Sequence, residues 1–114
     1  MYTIQGTRPD MIANNLTPAY PTHPGEVLKE EIEYRKISQR SLASRMGISY
    51  KALNDILNAR RPLTTATAMM FEAALDVPAD SLMRMQLRYN MRKATDDKSF
   101  MERLNQIRKY AAVL

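Results

Sequence analysis

From His23 onward, apolar residues recur at three- and four-residue intervals, and each run is closed by a glycine, a proline or a small polar residue. That spacing gathers them on one face of a helix. Pro24-Gly25 opens the first predicted helix, with Glu26 at its positively polarised end and Val27, Leu28, Ile32 and Ile37 as its apolar side. Ser38 caps the second, which stops at Gly47, the residue type that most easily turns left-handed after a helix. Ser49 caps the third and Arg60-Arg61-Pro62 ends it. Thr64-Thr65 opens a fourth, running through Ala68, Met69, Phe71, Ala74 and Leu75 to Asp76. After Pro78, Asp80-Ser81 opens a fifth that reaches about Lys93, and a last helix runs from about Asp97 to Ala112.

Residues 1–22 have no sustained period and contain Gly6, Pro9, Asn14-Asn15, Pro18 and Pro21, so they read as a partly flexible N-terminal arm. Tyr2–Gln5 is its one strand candidate, and Met11 is a candidate second start. The expected fold is all-α, a compact five- to six-helix bundle. Residues 23–93 form its main domain, and 94–114 supply a C-terminal helix for packing or dimerisation.

Composition narrows the function classes. At 114 residues the chain suits one domain, and 45% hydrophobic with 25% charged residues is globular rather than disordered composition. The absence of cysteine excludes disulfides and thiolate metal sites. His23 is the only histidine and has no clustered carboxylates beside it, so neither a metal site nor a histidine-based triad can be assembled. No cofactor is expected, and the chain reads as a non-enzyme. No apolar run approaches the roughly 18 residues a membrane helix needs, and no signal sequence is expected, so a cytoplasmic protein without a membrane partner is anticipated. A net charge of +5 favours polyanions, and most of the excess falls in residues 79–114.

The most informative string is Gln39–Ile56. Ala43 supplies the small residue two steeply crossing helices need, Gly47 the positive-φ turn, and Ile48 an apolar plug; Leu42, Met46, Leu53 and Ile56 form the buried seam. These demands coincide in a helix-turn-helix. A plain α-hairpin would share the apolar spacing, but not the outward face, which presents Lys51, Asn54, Asp55 and Asn58, with Tyr50 at the shoulder of the first turn after the Ser49 cap. Asn pairs with adenine edges, Lys donates to guanine and a carboxylate accepts from cytosine, so Ser49, Tyr50, Lys51, Asn54 and Asp55 are the candidate base readers of double-stranded DNA in its major groove. Gln39, Arg60, Arg61, Thr64 and Thr65 are candidate phosphate anchors; ordinary capping and solvated charge compete with that reading.

Four segments resemble the HigA-type antitoxins, also called virulence-associated protein I, within the lambda-repressor-like helix-turn-helix class. They are His23-Pro-Gly-Glu-Val-Leu-Lys-Glu-Glu31, the run from Ile37 to Ile56, Arg60-Arg-Pro-Leu-Thr-Thr65 and Met85-Gln-Leu-Arg-Tyr-Asn90, together spanning about residues 22–93. Two positions depart: Ala59 stands where that family usually has Gly, so a less sharply turned exit from the third helix is expected, and Leu82 stands where it usually has Trp. The resemblance implies a homodimer that represses its own promoter and neutralises a cognate RelE-like, messenger-RNA-cleaving toxin. The alternative is a free-standing repressor without a toxin; a pure protein-interaction module would show no sequence-selective DNA binding.

Two further features have paired readings. Glu26, Glu30 and Glu33 share one face of the first helix, either as a solvated face or as a dock for a basic toxin. The fifth helix has a core side of Leu82, Met85 and Tyr89 and a second stripe of Met83, Leu87 and Met91. Phe100, Leu104, Ile107, Ala111 and Leu114 recur as a heptad-like seam that either covers this stripe within the chain or joins it in a dimer interface.

Overall fold

The structure, a computed structural model, describes residues 21–114, which form six helices and no strand. The expected strand over Tyr2–Gln5, the candidate start at Met11 and nearly all of the arm lie outside the described residues. The helices are α1 (Pro24–Tyr34), α2 (Gln39–Met46), α3 (Tyr50–Leu57), α4 (Thr65–Leu75), α5 (Ala79–Asp96) and α6 (Lys98–Ala111).

Caps explain most of the boundaries. Ser38, Ser49, Thr64 and Asp97 each accept a hydrogen bond from the backbone N–H three residues on. Such caps satisfy a donor that the first helical turn leaves open, contributing about 1 kcal/mol each. Before α1 the cap is His23, whose Nδ1 accepts from Gly25 N at 2.8 Å. α5 has no side-chain cap of its own; Ala79 N donates to Glu72 Oε1, so the helix begins one residue before the expected Asp80. It also runs to Asp96 rather than Lys93, and a single residue, Asp97, separates it from α6.

Leu28 and Ile32 of α1, Leu42, Ala43 and Met46 of α2, Leu53, Ile56 and Leu57 of α3, and Ala68, Phe71 and Leu75 of α4 close around Leu63 and Leu82 as the core. A fully buried Leu or Phe of this kind stabilises by about 1.5–3 kcal/mol relative to exposure. α3 packs on α1 and α2, α2 on α4, and α5 on α1 and α4, whereas α6 packs mainly on α5 among the described helices and buries no residue fully. Val27, Met69 and Ala74, expected on apolar sides, are exposed.

α5 turns Leu82 and Gln86 to the core, while Met85 and Tyr89 are half-buried. Gln86 accepts from Leu63 N at 2.8 Å and donates to Asn90 Oδ1 at 2.8 Å, so its amide is satisfied although buried.

The opening of α1 lies unusually close to the end of α3. A Cβ at Gly25 would stand 1.9 Å from the Ile56 carbonyl oxygen, so only glycine fits. The buried His23 ring meets Tyr89 edge-on, with centroids 4.8 Å apart.

Candidate nucleic-acid interface

α2 and α3 meet across a turn built by three residues. Gly47 takes a left-handed φ of 75°, Ile48 N donates to the Ala43 carbonyl at 3.1 Å, and the Ile48 side chain packs against the core. Leu53, Ile56 and Leu57 then seat α3 inward. Its other side presents Tyr50, Lys51, Asn54 and Asn58, with Ser49 as the exposed cap.

Lys51, Asn54 and Asn58 are tied into a network with neighbouring side chains and backbone. Asn54 Nδ2 donates to Gln39 Oε1 at 3.0 Å, which brings the first residue of α2 onto the middle of α3. Arg60 Nη2 donates to Asn54 Oδ1 at 2.7 Å and its Nε to Asp55 Oδ1 at 3.0 Å. Lys51 Nζ donates to Asp55 Oδ2 at 3.1 Å, and Arg61 Nη2 stands 3.7 Å from the same oxygen. Asn58 Nδ2 bonds the Asn54 carbonyl, while its Oδ1 accepts from Lys29 Nζ at 3.0 Å. The Arg40 guanidinium lies 4.5 Å above the centre of the Tyr50 ring, a cation–π contact that steadies both. Six of the sequence-derived candidates, Gln39, Tyr50, Lys51, Asn54, Arg60 and Arg61, thus fall on one surface, joined by Arg40.

Two sequence expectations need correction. Asp55 was expected to present a carboxylate outward as a base-edge acceptor. Instead it lies low at the edge of α3, only 8% exposed, with both oxygens turned onto neighbouring cations. The reason is spacing: Lys51 is one helical turn before it, and the chain reversal after α3 returns Arg60 and Arg61 to its side. The Lys51 hydrogen bond, and then that of Arg60, outweigh its desolvation and hold the carboxyl below its ordinary range, so it is ionised at neutral pH.

The second correction concerns Ala59, where a less sharp exit from the third helix was expected. Ala59 adopts the left-handed conformation itself, at φ 61°, and Arg60 N donates to the Asp55 carbonyl at 2.8 Å. The turn keeps a glycine-like form at a cost of about 1–2 kcal/mol for an L-residue.

Thr64 and Thr65 sit exposed at the start of α4, where the Thr64 hydroxyl caps the helix and pairs with that of Thr67 at 2.9 Å. Glu26, Glu30 and Glu33 are all exposed on α1. Met83 and Leu104 are half-buried, whereas Leu87, Met91, Phe100 and Ile107 are exposed along α5 and α6. α6 therefore covers the second stripe of α5 only in part. Among the described residues no cluster of metal-ligating side chains occurs, and no helix is long and apolar enough to cross a membrane.

Sequence reasoning missed three residues that position this surface. His23 caps α1, meets Tyr89 edge-on and hydrogen-bonds the Arg61 backbone, holding the turn after α3 from behind. Burial pushes its pKa down against the opposing influence of Glu26 and the Arg61 bond, with Lys93 adding to the lowering. Gln86 holds Leu63 N, two residues beyond Arg61. Arg40 stacks on Tyr50. The string His23-Pro-Gly was visible as a motif, but its role requires the α1–α3 contact to be seen.

Six helices with this paired α2–α3 unit and its polar outer face define a DNA-binding helix-turn-helix protein. The helix-turn-helix family profile matches residues 28–82. Virulence-associated protein I of Dichelobacter nodosus is 32% identical over 77 residues, spanning 67% of this chain and 71% of that protein. Among solved structures, a HigA-family addiction module antidote protein from Coxiella burnetii matches with a TM-score of 0.65 at 27% identity, covering 76% of this chain and 94% of that one. The Pseudomonas aeruginosa antitoxin HigA with higBA promoter matches with a TM-score of 0.63 at 28% identity, covering 76% and 90%. The chain belongs to the virulence-associated protein I family, the HigA-type helix-turn-helix antitoxins. The resemblance read from the sequence and the all-α fold are both borne out.

Proposed function

We propose that the chain is the antitoxin of a toxin–antitoxin pair, binding an operator in its own promoter in the cytoplasm and neutralising a small basic RelE-like toxin that cleaves messenger RNA. The observation that carries the DNA half is the bonded set Gln39–Asn54–Arg60 on the outer face of α3, where amide and guanidinium groups are fixed in register before any partner arrives. Preorganised donors lose little freedom on binding. The Pseudomonas aeruginosa relative was solved with promoter DNA, which supports the same use of this face.

In this reading Ser49, Tyr50, Lys51 and Asn54 meet base edges in the major groove, with Gln39 and Arg40 at the adjoining backbone. Arg60, Arg61 and the exposed start of α4 at Thr64 and Thr65 meet phosphates. Asp55 supports these cations rather than reading a base. The open α5–α6 stripe of Leu87, Met91, Phe100 and Ile107 joins two copies, so that two α3 helices address half-sites about one helical turn apart. Glu26, Glu30 and Glu33 of α1 offer the acidic face for the toxin.

Asn54→Ala tests the DNA half. Operator binding should weaken by roughly 1–3 kcal/mol with the melting temperature unchanged, as read by anisotropy and circular dichroism. Full-strength binding by this variant would remove α3 as the reader. Co-purification of a small basic protein encoded beside this one tests the toxin half; its absence leaves a free-standing repressor.

A further inference from the structure

The Asp55 carboxylate lies beneath three cations and is itself nearly covered. Its side chain is 12% exposed, whereas those of Lys51, Arg60 and Arg61 are 78%, 58% and 50% exposed. A duplex approaching α3 meets the positive groups first. Every phosphate that draws on them does so against an anion already in contact with all three. Non-selective attraction to DNA scales with the number of cations a duplex can neutralise, so this arrangement discounts it.

Contacts to base edges depend on position rather than net charge, and position is what the same carboxylate secures. It holds Arg60 through Nε while Nη2 holds Asn54, which is held in turn by Gln39. The carboxylate is charged at neutral pH, and its cation partners favour the ionised form further.

We propose that Asp55 is a specificity-determining residue that touches no base: by compensating Lys51, Arg60 and Arg61 from beneath, it suppresses binding to non-operator DNA while fixing the donors that read the operator. The proposal rests on the DNA-reading role of α3 given above. It predicts that removing the negative charge makes the protein bind DNA more tightly and less selectively, the opposite of losing an ordinary binding residue.

Full-length protein is titrated with two fluorescent duplexes of equal length, an operator selected from random DNA by binding and a scrambled control, over a series of salt concentrations. For Asp55→Asn, affinity for the scrambled duplex should rise about tenfold at low salt, and its log–log salt slope should steepen by about 0.9, the value of one further phosphate neutralised. The operator-to-scrambled ratio should fall. Asp55→Glu, which keeps the charge, should retain most of the ratio, and the charge-balanced double variant Asp55→Asn/Lys51→Gln should return scrambled-duplex affinity towards that of the parent. Unchanged scrambled-duplex binding by a folded Asp55→Asn overturns the proposal, and so does a parallel loss of both affinities.

Should that variant fail to fold, the parent protein still decides the matter by NMR. The Arg60 Nε–H signal should hold its position with scrambled DNA and move with operator; displacement by both alike overturns the proposal. A parent protein that discriminates between no duplexes would instead count against α3 as a reader.

Discussion

The outer face of α3 and the open face of α5–α6 expose their side chains in opposite ways. On α3, Gln39, Asn54, Arg60, Asp55 and Lys51 are bonded into one chain of contacts, so the face is ordered without a partner. On α5–α6, Leu87, Met91 and Ile107 are more than half exposed, although α6 packs along α5. The first face can exchange its internal bonds for those of a hydrated, charged partner at little cost in freedom. The second gains only when water is removed, which requires another apolar surface. On the proposed reading, in which the chain binds DNA and pairs with a second copy, that division lets one face let go of DNA while the other keeps the pair together.

The largest expected effect breaks the frame that both faces share. Gly25→Ala drives a Cβ into the Ile56 carbonyl, a backbone atom that cannot swing aside, and should cost about 3 kcal/mol, lowering the thermal midpoint and DNA affinity together. Next, Leu87→Glu with Met91→Glu should separate the two faces functionally. Sedimentation should report monomers whose α3 is intact and whose operator affinity is about 100-fold lower, because the half-sites are no longer addressed together. Dimers persisting in that variant would place the pairing surface elsewhere.

A smaller change sharpens the account of α3. Ala59→Gly relieves the left-handed strain at φ 61° and should stabilise the protein by up to about 1 kcal/mol in urea unfolding, with base selectivity retained.

The smallest effect is a pH dependence. The folded state holds His23 below its unfolded pKa of about 6.5, favouring the neutral ring. Stability from this source should be complete above that value and decline as pH falls through it towards the folded pKa. Melting between pH 8 and 5 should show the decline, and His23→Gln should flatten it. The Asp55 contribution has the same sign but is lost only near and below the ordinary carboxylate range, so the two windows separate.

The helices, the Gly47 turn and the core residues Leu42, Ala43, Leu53 and Ile56 were legible in the sequence, because each follows from spacing or from one residue's conformational preference. The outward set was legible as a set, since helical periodicity fixes which side chains share a face. Periodicity could not give the bonding within it. Asp55 falls at the border of that face; its Lys51 pair follows from one-turn spacing, but its Arg60 contact depends on the reversal at Ala59, which no periodicity displays. Nor could spacing separate Gln86 from Met85 as the core-facing residue of α5, because the deciding group is the backbone N–H of Leu63, far away in sequence.

His23 joins the start of α1 to the Arg61 backbone and to Tyr89, closing a loop across most of the described chain through one ring. We expect the exit of α3 and the middle of α5 to open as one unit in native-state hydrogen exchange, since neither can leave without releasing the other. α6 packs mainly on α5 among the described helices and should exchange earlier on its own. Formation of the reading face would then wait on a contact of long sequence separation, so this small helical protein should fold more slowly than its helix content alone suggests.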